Sequence, residues 1–190
     1  MLQSVQMMSS AAHGGSYELV SYEIKEAITL YGSWGRNNKG TIIVFSSGND
    51  NSSVLFPANC AEEILVVGAT DRNGQRASFS NYGPELDVMA PGIAIRTLGF
   101  TETSTFGYTD FTGTSASCPQ VAAIAALILS VNPNLTNIEV NDIIEKTAKK
   151  VGNYNYTTQT NRNNGTWNQY MGYGLVDATA ALKLAQSTLK

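Results

Sequence analysis

Two short stretches carry the residue types from which acyl-transfer chemistry is assembled. The first is Gly113-Thr114-Ser115-Ala116-Ser117-Cys118-Pro119, which runs into an apolar segment of helical character. A serine there gains from its own backbone N–H and from the positive end of the helix dipole, since both stabilise the oxyanion formed when a hydroxyl attacks a carbonyl. Gly113 permits close approach of a substrate backbone, and Pro119 is expected in the first turn, where N–H groups lack partners. The plainer alternative is a helix start with Ser or Thr as its cap. The second stretch, Ser46-Ser47-Gly48-Asn49-Asp50, follows the β-branched run Thr41–Phe45. Open α/β sheets place their sites beyond the carboxyl ends of strands, and the Asn49 amide can donate to an oxyanion. Its plainer alternative is an Asn-rich turn.

Serine is a weak nucleophile without an adjacent base. The chain contains one histidine, His13, so a histidine-rich zinc site is excluded. A mechanism with one imidazole must use His13 or a histidine from elsewhere. Cys60 and Cys118 form neither a CxxC nor a metal spacing, and one disulfide or two free thiols both fit.

The elements that must position these residues follow from periodicity. Glu18–Tyr31 places Leu19, Tyr22, Ile24, Ala27, Ile28 and Tyr31 mainly three and four apart, which predicts a surface helix ended by Gly32 and the Gly35–Gly40 stretch. Thr41–Phe45 and Ile64–Ala69 are apolar on both faces, as in strands of a covered parallel sheet, and such strands are joined by helical crossovers. The segment from Arg76 to Gly113 reads as loops with short strands. Cys118–Val131 is apolar nearly all round and predicts a buried helix. Thr136 and Glu139 form a capping box for a helix over 137–150, with Ile138, Ile143, Ile144 and Ala148 facing the core. Tyr154–Tyr170 is a polar excursion. Asp177 caps a last helix carrying Ala181, Leu182 and Leu184.

The 190 residues are 43% hydrophobic and 14% charged with a net charge of −3, which predicts one α/β domain with a real core and no basic surplus for nucleic acid or an anionic membrane. The longest clean apolar run, Val121–Leu129, has nine residues, short of a membrane span. The first residues, MLQSVQMMSS, show no targeting signal.

In order along the chain, Gly48-Asn49, Phe56-Pro57-Ala58, ILVVGAT, ASFSNYGPELDVMAPG, Gly113 to Pro119 and Met171-Gly172-Tyr173-Gly174-Leu175-Val176-Asp177 resemble the subtilisin-like serine proteases, the subtilases. The interval from Asn49 to Ser115 fits as well. The resemblance implies a subtilisin-like three-layer sandwich with a mainly parallel sheet and a serine endopeptidase acting on proteins or peptides. Ser115 aligns with the nucleophile and Asn49 with the side-chain donor of the oxyanion hole. Ser46, Ser47, Gly48, Phe56, Pro57 and Ala58 align with walls of the primary specificity pocket. It further implies a secreted or cell-envelope location and chemistry that requires no cofactor. Structural Ca²⁺ fits the complete domain, although no metal site is assigned here. Asp87 stands where some members bind a weak cation, but a turn residue or a partner for a basic side chain is the simpler reading.

The pattern breaks before Asn49. The family's H-G-T-H histidine and its orienting aspartate are not found there, and His13 aligns better with the substrate-binding strand and its turn. The chain is therefore expected to be the C-terminal part of a catalytic domain. As such it is incomplete on the N-terminal side of the sheet, inactive alone, partnered by the absent part and prone to self-association through an exposed sheet edge. Two other readings stay open. One is a subtilase-fold interaction domain, a pseudoprotease that has lost its base. The other is a sedolisin-type carboxyl-serine peptidase. That family also uses Gly-Thr-Ser, but it carries Asp in place of Asn49 and lacks the ASFSNYGPELDVMAPG run.

Overall fold

A computed structural model describes residues 5–8, 18–100 and 106–189. His13 lies outside the described residues. Four parallel strands form the central sheet in the order β1-β2-β3-β4: β1 (Val5–Met8), β2 (Ile42–Ser46), β3 (Ile64–Thr70) and β4 (Val88–Pro91). Val5 pairs with Ile42, Ile43 with Ile64 and Val67 with Val88. Among the described residues, the helix joining consecutive strands of this sheet is α1 (Glu18–Asn38), between β1 and β2. The expected helix between β2 and β3 is absent. A loop makes that crossover instead, and it carries Asn49.

Strands β2 and β3 are buried at every position because they are almost wholly apolar. Ile42, Val44, Leu65, Val67, Val88 and Ala90 face one core, with α2 (Thr114–Val131), α3 (Asn137–Thr147) and α4 (Ala178–Ser187). Ile43, Phe45, Ile64, Val66 and Met89 face the other, against Ile28 of α1 and the loop residues Val54, Ala58, Leu86 and Met171. This is the expected three-layer α/β arrangement. The two cysteines lie on opposite sides of the sheet, Cys118 in the first core and Cys60 against the second, and both are free thiols.

Several expectations are corrected. Helix α1 runs past Tyr31, and Gly32 lies inside it. The helical backbone breaks only at Gly35, before Arg36 and Asn37 turn left-handed at φ +55° and +58°. Its buried stripe is narrow: Ile28 is buried, whereas Tyr22 and Tyr31 are 69% and 62% exposed. Helix α2 starts at Thr114 rather than Cys118, which puts Pro119 beyond the first turn. It is not buried all round, since Ala123, Ala126, Leu127 and Ser130 face solvent. Its length and composition would suit a bilayer, yet half of it is buried in the protein core. Helix α3 has the capping box but stops at Thr147, because Lys149 exchanges backbone hydrogen bonds with Leu175. Ile138 points outward. An antiparallel hairpin of β5 (Ile95–Phe100) and β6 (Phe106–Phe111) leads from β4 into α2.

Candidate active site

The site forms where the loop after β2 meets the start of α2. Ser46 ends β2 and Ser47 follows it; both are buried, and the Ser47 N–H donates to the Val67 carbonyl at 2.9 Å. Gly48 follows at φ +105°, and a Cβ there would collide with the Asn81 amide. Asn49 then reaches α2. Its Oδ1 accepts from the Thr114 N–H and from the Thr114 hydroxyl, both at 2.9 Å. The two bonds to Oδ1 fix the orientation of the amide. A Cβ built on Gly113 would lie 3.5 Å from Asn49 Nδ2 and 3.8 Å from the Ser115 backbone nitrogen. The Asn49 amide nitrogen and the Ser115 backbone nitrogen thus both lie close to Gly113, at the positive end of an 18-residue helix.

Gly113 is the N-cap of α2, and no side chain caps this helix. The plainer reading of Thr114 and Ser115 as capping residues is therefore corrected: the Thr114 hydroxyl is spent on Asn49. The helix start is tied to the end of β4. The Gly113 N–H donates to the Gly92 carbonyl at 2.8 Å, and Ser117 Oγ donates to the carbonyls of Ala90 and Pro91 at 3.0 and 3.2 Å. Gln120 Nε2 adds a bond to Pro91 at 2.7 Å. Cys118 is fully buried, with its Sγ 3.5 Å from the Val44 carbonyl, and burial pushes its thiol up to about 12. It packs and is not a reactive group.

The other predicted wall residues lie further along the same loop. Phe56 and Pro57 are joined by a cis peptide bond, and Pro57 and Ala58 are buried. Ala58 lines a cavity of about 870 Å³ with Asp87, Glu145 and Arg162, and Ser46, Ser47 and Gly48 are not part of that lining.

A sequence model of the Subtilase family matches residues 4–174. The chain belongs to the subtilase family. Alkaline elastase YaB of Bacillus sp. is 39% identical over 145 residues, covering 76% of this chain and 33% of that protein. Subtilisin BL of Lederbergia lenta is 36% identical over 147 residues, 77% of this chain and 48% of that protein. Among solved structures, a protease from Pseudoalteromonas arctica superimposes with a TM-score of 0.72 at 30% identity, over 94% of this chain and 51% of its own. The chain thus spans between a third and about half of these relatives.

Within this subtilase chain, Asp87 is a partner for a basic side chain. Its Oδ2 accepts from the Val66 N–H at 2.7 Å, and Arg162 Nη1 stands 3.4 Å from Oδ1. Burial, and then the nearby charge of Glu145, push the Asp87 carboxyl well above its ordinary range, against the pull of Val66 and Arg162. Burial raises Glu145 also, although Asn164 donates to it at 2.7 Å. The guanidinium supplies the positive charge here, so these residues do not fit a calcium site. Among the described residues, no three His, Cys, Asp or Glu side chains gather around a common point.

Sequence reasoning missed Asn81, Ser80 and Arg76, which lie behind the Asn49 loop. For Ser80 and Asn81 the signal was present in ASFSNYG: small and polar residues that stay buried must be bonded to backbone.

Proposed function

We propose that this chain supplies the nucleophile and the oxyanion donors of a serine endopeptidase that hydrolyses proteins through an acyl-enzyme on Ser115. The supporting observation is the double hydrogen bond from Thr114 to Asn49 Oδ1, which aims Nδ2 toward the space shared with the Ser115 N–H. The Ser115 hydroxyl attacks the scissile carbonyl, whose oxygen gains negative charge and accepts hydrogen bonds from these two donors. The hydroxyl proton passes to a general base and then to the leaving amine, and water reverses the sequence to free the acyl group. No histidine lies among the described residues. The base and the acid that orients it are residues outside them. Ser46, Ser47 and Gly48, with Phe56, Pro57 and Ala58, form the primary specificity pocket. Their small or neutral surfaces favour an apolar or broad choice of residue. The chemistry requires no cofactor, and the protein works in a secreted or cell-envelope setting.

The 190-residue chain alone has little or no peptidase activity on this reading, because the family's H-G-T-H histidine and its orienting aspartate are not found in its sequence. A fluorophosphonate probe tests both halves of the reading. It should label Ser115 stoichiometrically in the full-length protein, which should also degrade a denatured protein. The chain alone should label poorly, and Ser115→Ala should abolish labelling. Stoichiometric labelling of the isolated chain would refute its inactivity. A full-length protein that cleaves no denatured substrate would overturn the endopeptidase reading and favour an interaction domain that has lost its base.

A further inference from the structure

Asn81 is 1% exposed, yet it touches the loop of Asn49 with all its polar groups but the carbonyl. Its backbone N–H donates to the Gly48 carbonyl at 3.0 Å. Its Oδ1 accepts from the N–H groups of Asp50 and Ser52 at 2.8 and 3.1 Å. Its Nδ2 donates to the Ser53 carbonyl at 3.2 Å. These bonds grip the chain on both sides of Asn49. Phe79 and Tyr82 add backbone bonds to Asn51, Ser52 and Val54, but Asn81 grips with a side chain as well.

Asn81 is itself fixed to the sheet. Ser80 Oγ accepts from the Ala69 N–H of β3 at 3.0 Å and donates to the Asn81 carbonyl at 3.3 Å. Arg76 donates to the Ser80 carbonyl and, through Nη2, to Asn51 Oδ1 at 2.8 Å. Its guanidinium lies over the rings of Tyr82 and Tyr170, 5.2 and 5.6 Å from their centres. A connected path runs from β3 through Ser80, Asn81 and the loop to Asn49, and from there to Thr114 beside Ser115.

We propose that Asn81 is a positioning residue of the oxyanion site, holding residues 48–53 so that Asn49 presents Nδ2 to the space beside Ser115. The inference rests on reading Asn49 as the oxyanion donor. A donor lowers the barrier only if it already points to where charge develops, because reorganising it during reaction costs what the bond returns. Removing the Asn81 side chain takes the acceptor from two loop N–H groups and the donor from one carbonyl, and leaves the loop less constrained. Asn81 acts through Asn49, being buried behind it.

A double-mutant cycle in the full-length protein tests this coupling. Asn81→Ala should lower kcat at least about tenfold with KM within about twofold, as expected for loss of a transition-state interaction. In an Asn49→Ala background the same change should cost less than about twofold, because the group it positions is gone. Equal losses in the two backgrounds, or a change in KM alone, would overturn the proposal. Amide hydrogen exchange gives a reading independent of turnover. Protection of the Thr114 N–H, which donates to Asn49, should fall at least about tenfold in Asn81→Ala while Ala125 and Leu129 in α2 keep theirs. Unchanged protection at Thr114 would overturn the proposal. Asn81→Ser, with a shorter polar arm, serves if the alanine variant does not fold, and should show the same pattern at smaller amplitude. A wild-type protein without hydrolytic activity would refute the endopeptidase reading, and the exchange experiment would still decide the role of Asn81.

Discussion

Asn49 faces solvent, which for an asparagine in a turn would be unremarkable chemistry. Its orientation gives it meaning: with Oδ1 held twice by Thr114, the amide has one end left for a ligand. Asn49→Ala should therefore leave the fold intact and lower kcat by about 10²–10³ with little change in KM, the magnitude known for the corresponding donor of subtilisin itself. Peptide hydrolysis by the full-length protein measures it, and a loss confined to KM would contradict the role. The cysteines give a second test at this scale. Cys118 is fully buried with its thiol pushed up to about 12, whereas Cys60 is partly exposed. Iodoacetamide on the native chain should modify Cys60 well before Cys118, which should react only on unfolding. Mass spectrometry of the two peptides decides, and equal rates would show that the N-terminal part of α2 opens.

Among the elements, α4 has a cap that can be isolated. Asp177 Oδ1 accepts from the Ala180 N–H at 3.0 Å, while Lys149 Nζ sits 2.8 Å from Oδ2. The hydrogen bond from Lys149, and then that from Ala180, hold the Asp177 carboxyl below its ordinary range. A depressed folded value means that this stability is present above the unfolded carboxylate value of about 3.9 and is lost as pH falls through the folded one. Asp177→Ala should cost about 1 kcal/mol at neutral pH through loss of the cap. Asp177→Asn keeps an oxygen for Ala180 and removes the titration, so its stability should fall less steeply with acid than that of the parent. Denaturant unfolding from about pH 7 to about pH 3 measures both effects. Identical acid slopes would show that Lys149, which is largely exposed, contributes nothing through Asp177. Elements with strong local signals were legible in advance: the β-branched runs of β2 and β3, the capping box of α3 and the cap of α4. Helix ends were less so. Gly32 reads as a stop, but in α1 it packs beside Glu63 and Ile43, where a small residue suits the contact. The stripe of α1 was overestimated because periodicity marks apolar residues and cannot tell how much of a helix its sheet will cover.

At the scale of the whole molecule, β1 forms one edge of the sheet among the described residues, with β2 on its paired side. Strand edges offer rows of N–H and C=O groups to other chains. Leu30, Tyr31 and Trp34 of α1 also face solvent. The 190-residue chain alone is therefore expected to self-associate with rising concentration. Sedimentation velocity measures this, and a monomer throughout that unfolds cooperatively would refute it.

The order of motifs along the chain determined the family, the covered parallel sheet and the pairing of Asn49 with Ser115 as candidates, because each depends on residue types at short range or fixed spacing. The single histidine in the whole sequence also carried the expectation that the general base comes from elsewhere. Tertiary structure alone decided the rest. It placed the cysteines on opposite faces of the sheet, gave Asp87 to Arg162, turned the amide of Asn49 and put Asn81 behind it. Each of these depends on residues distant in sequence, whose relative placement is set only when the chain packs and its buried polar groups must find partners.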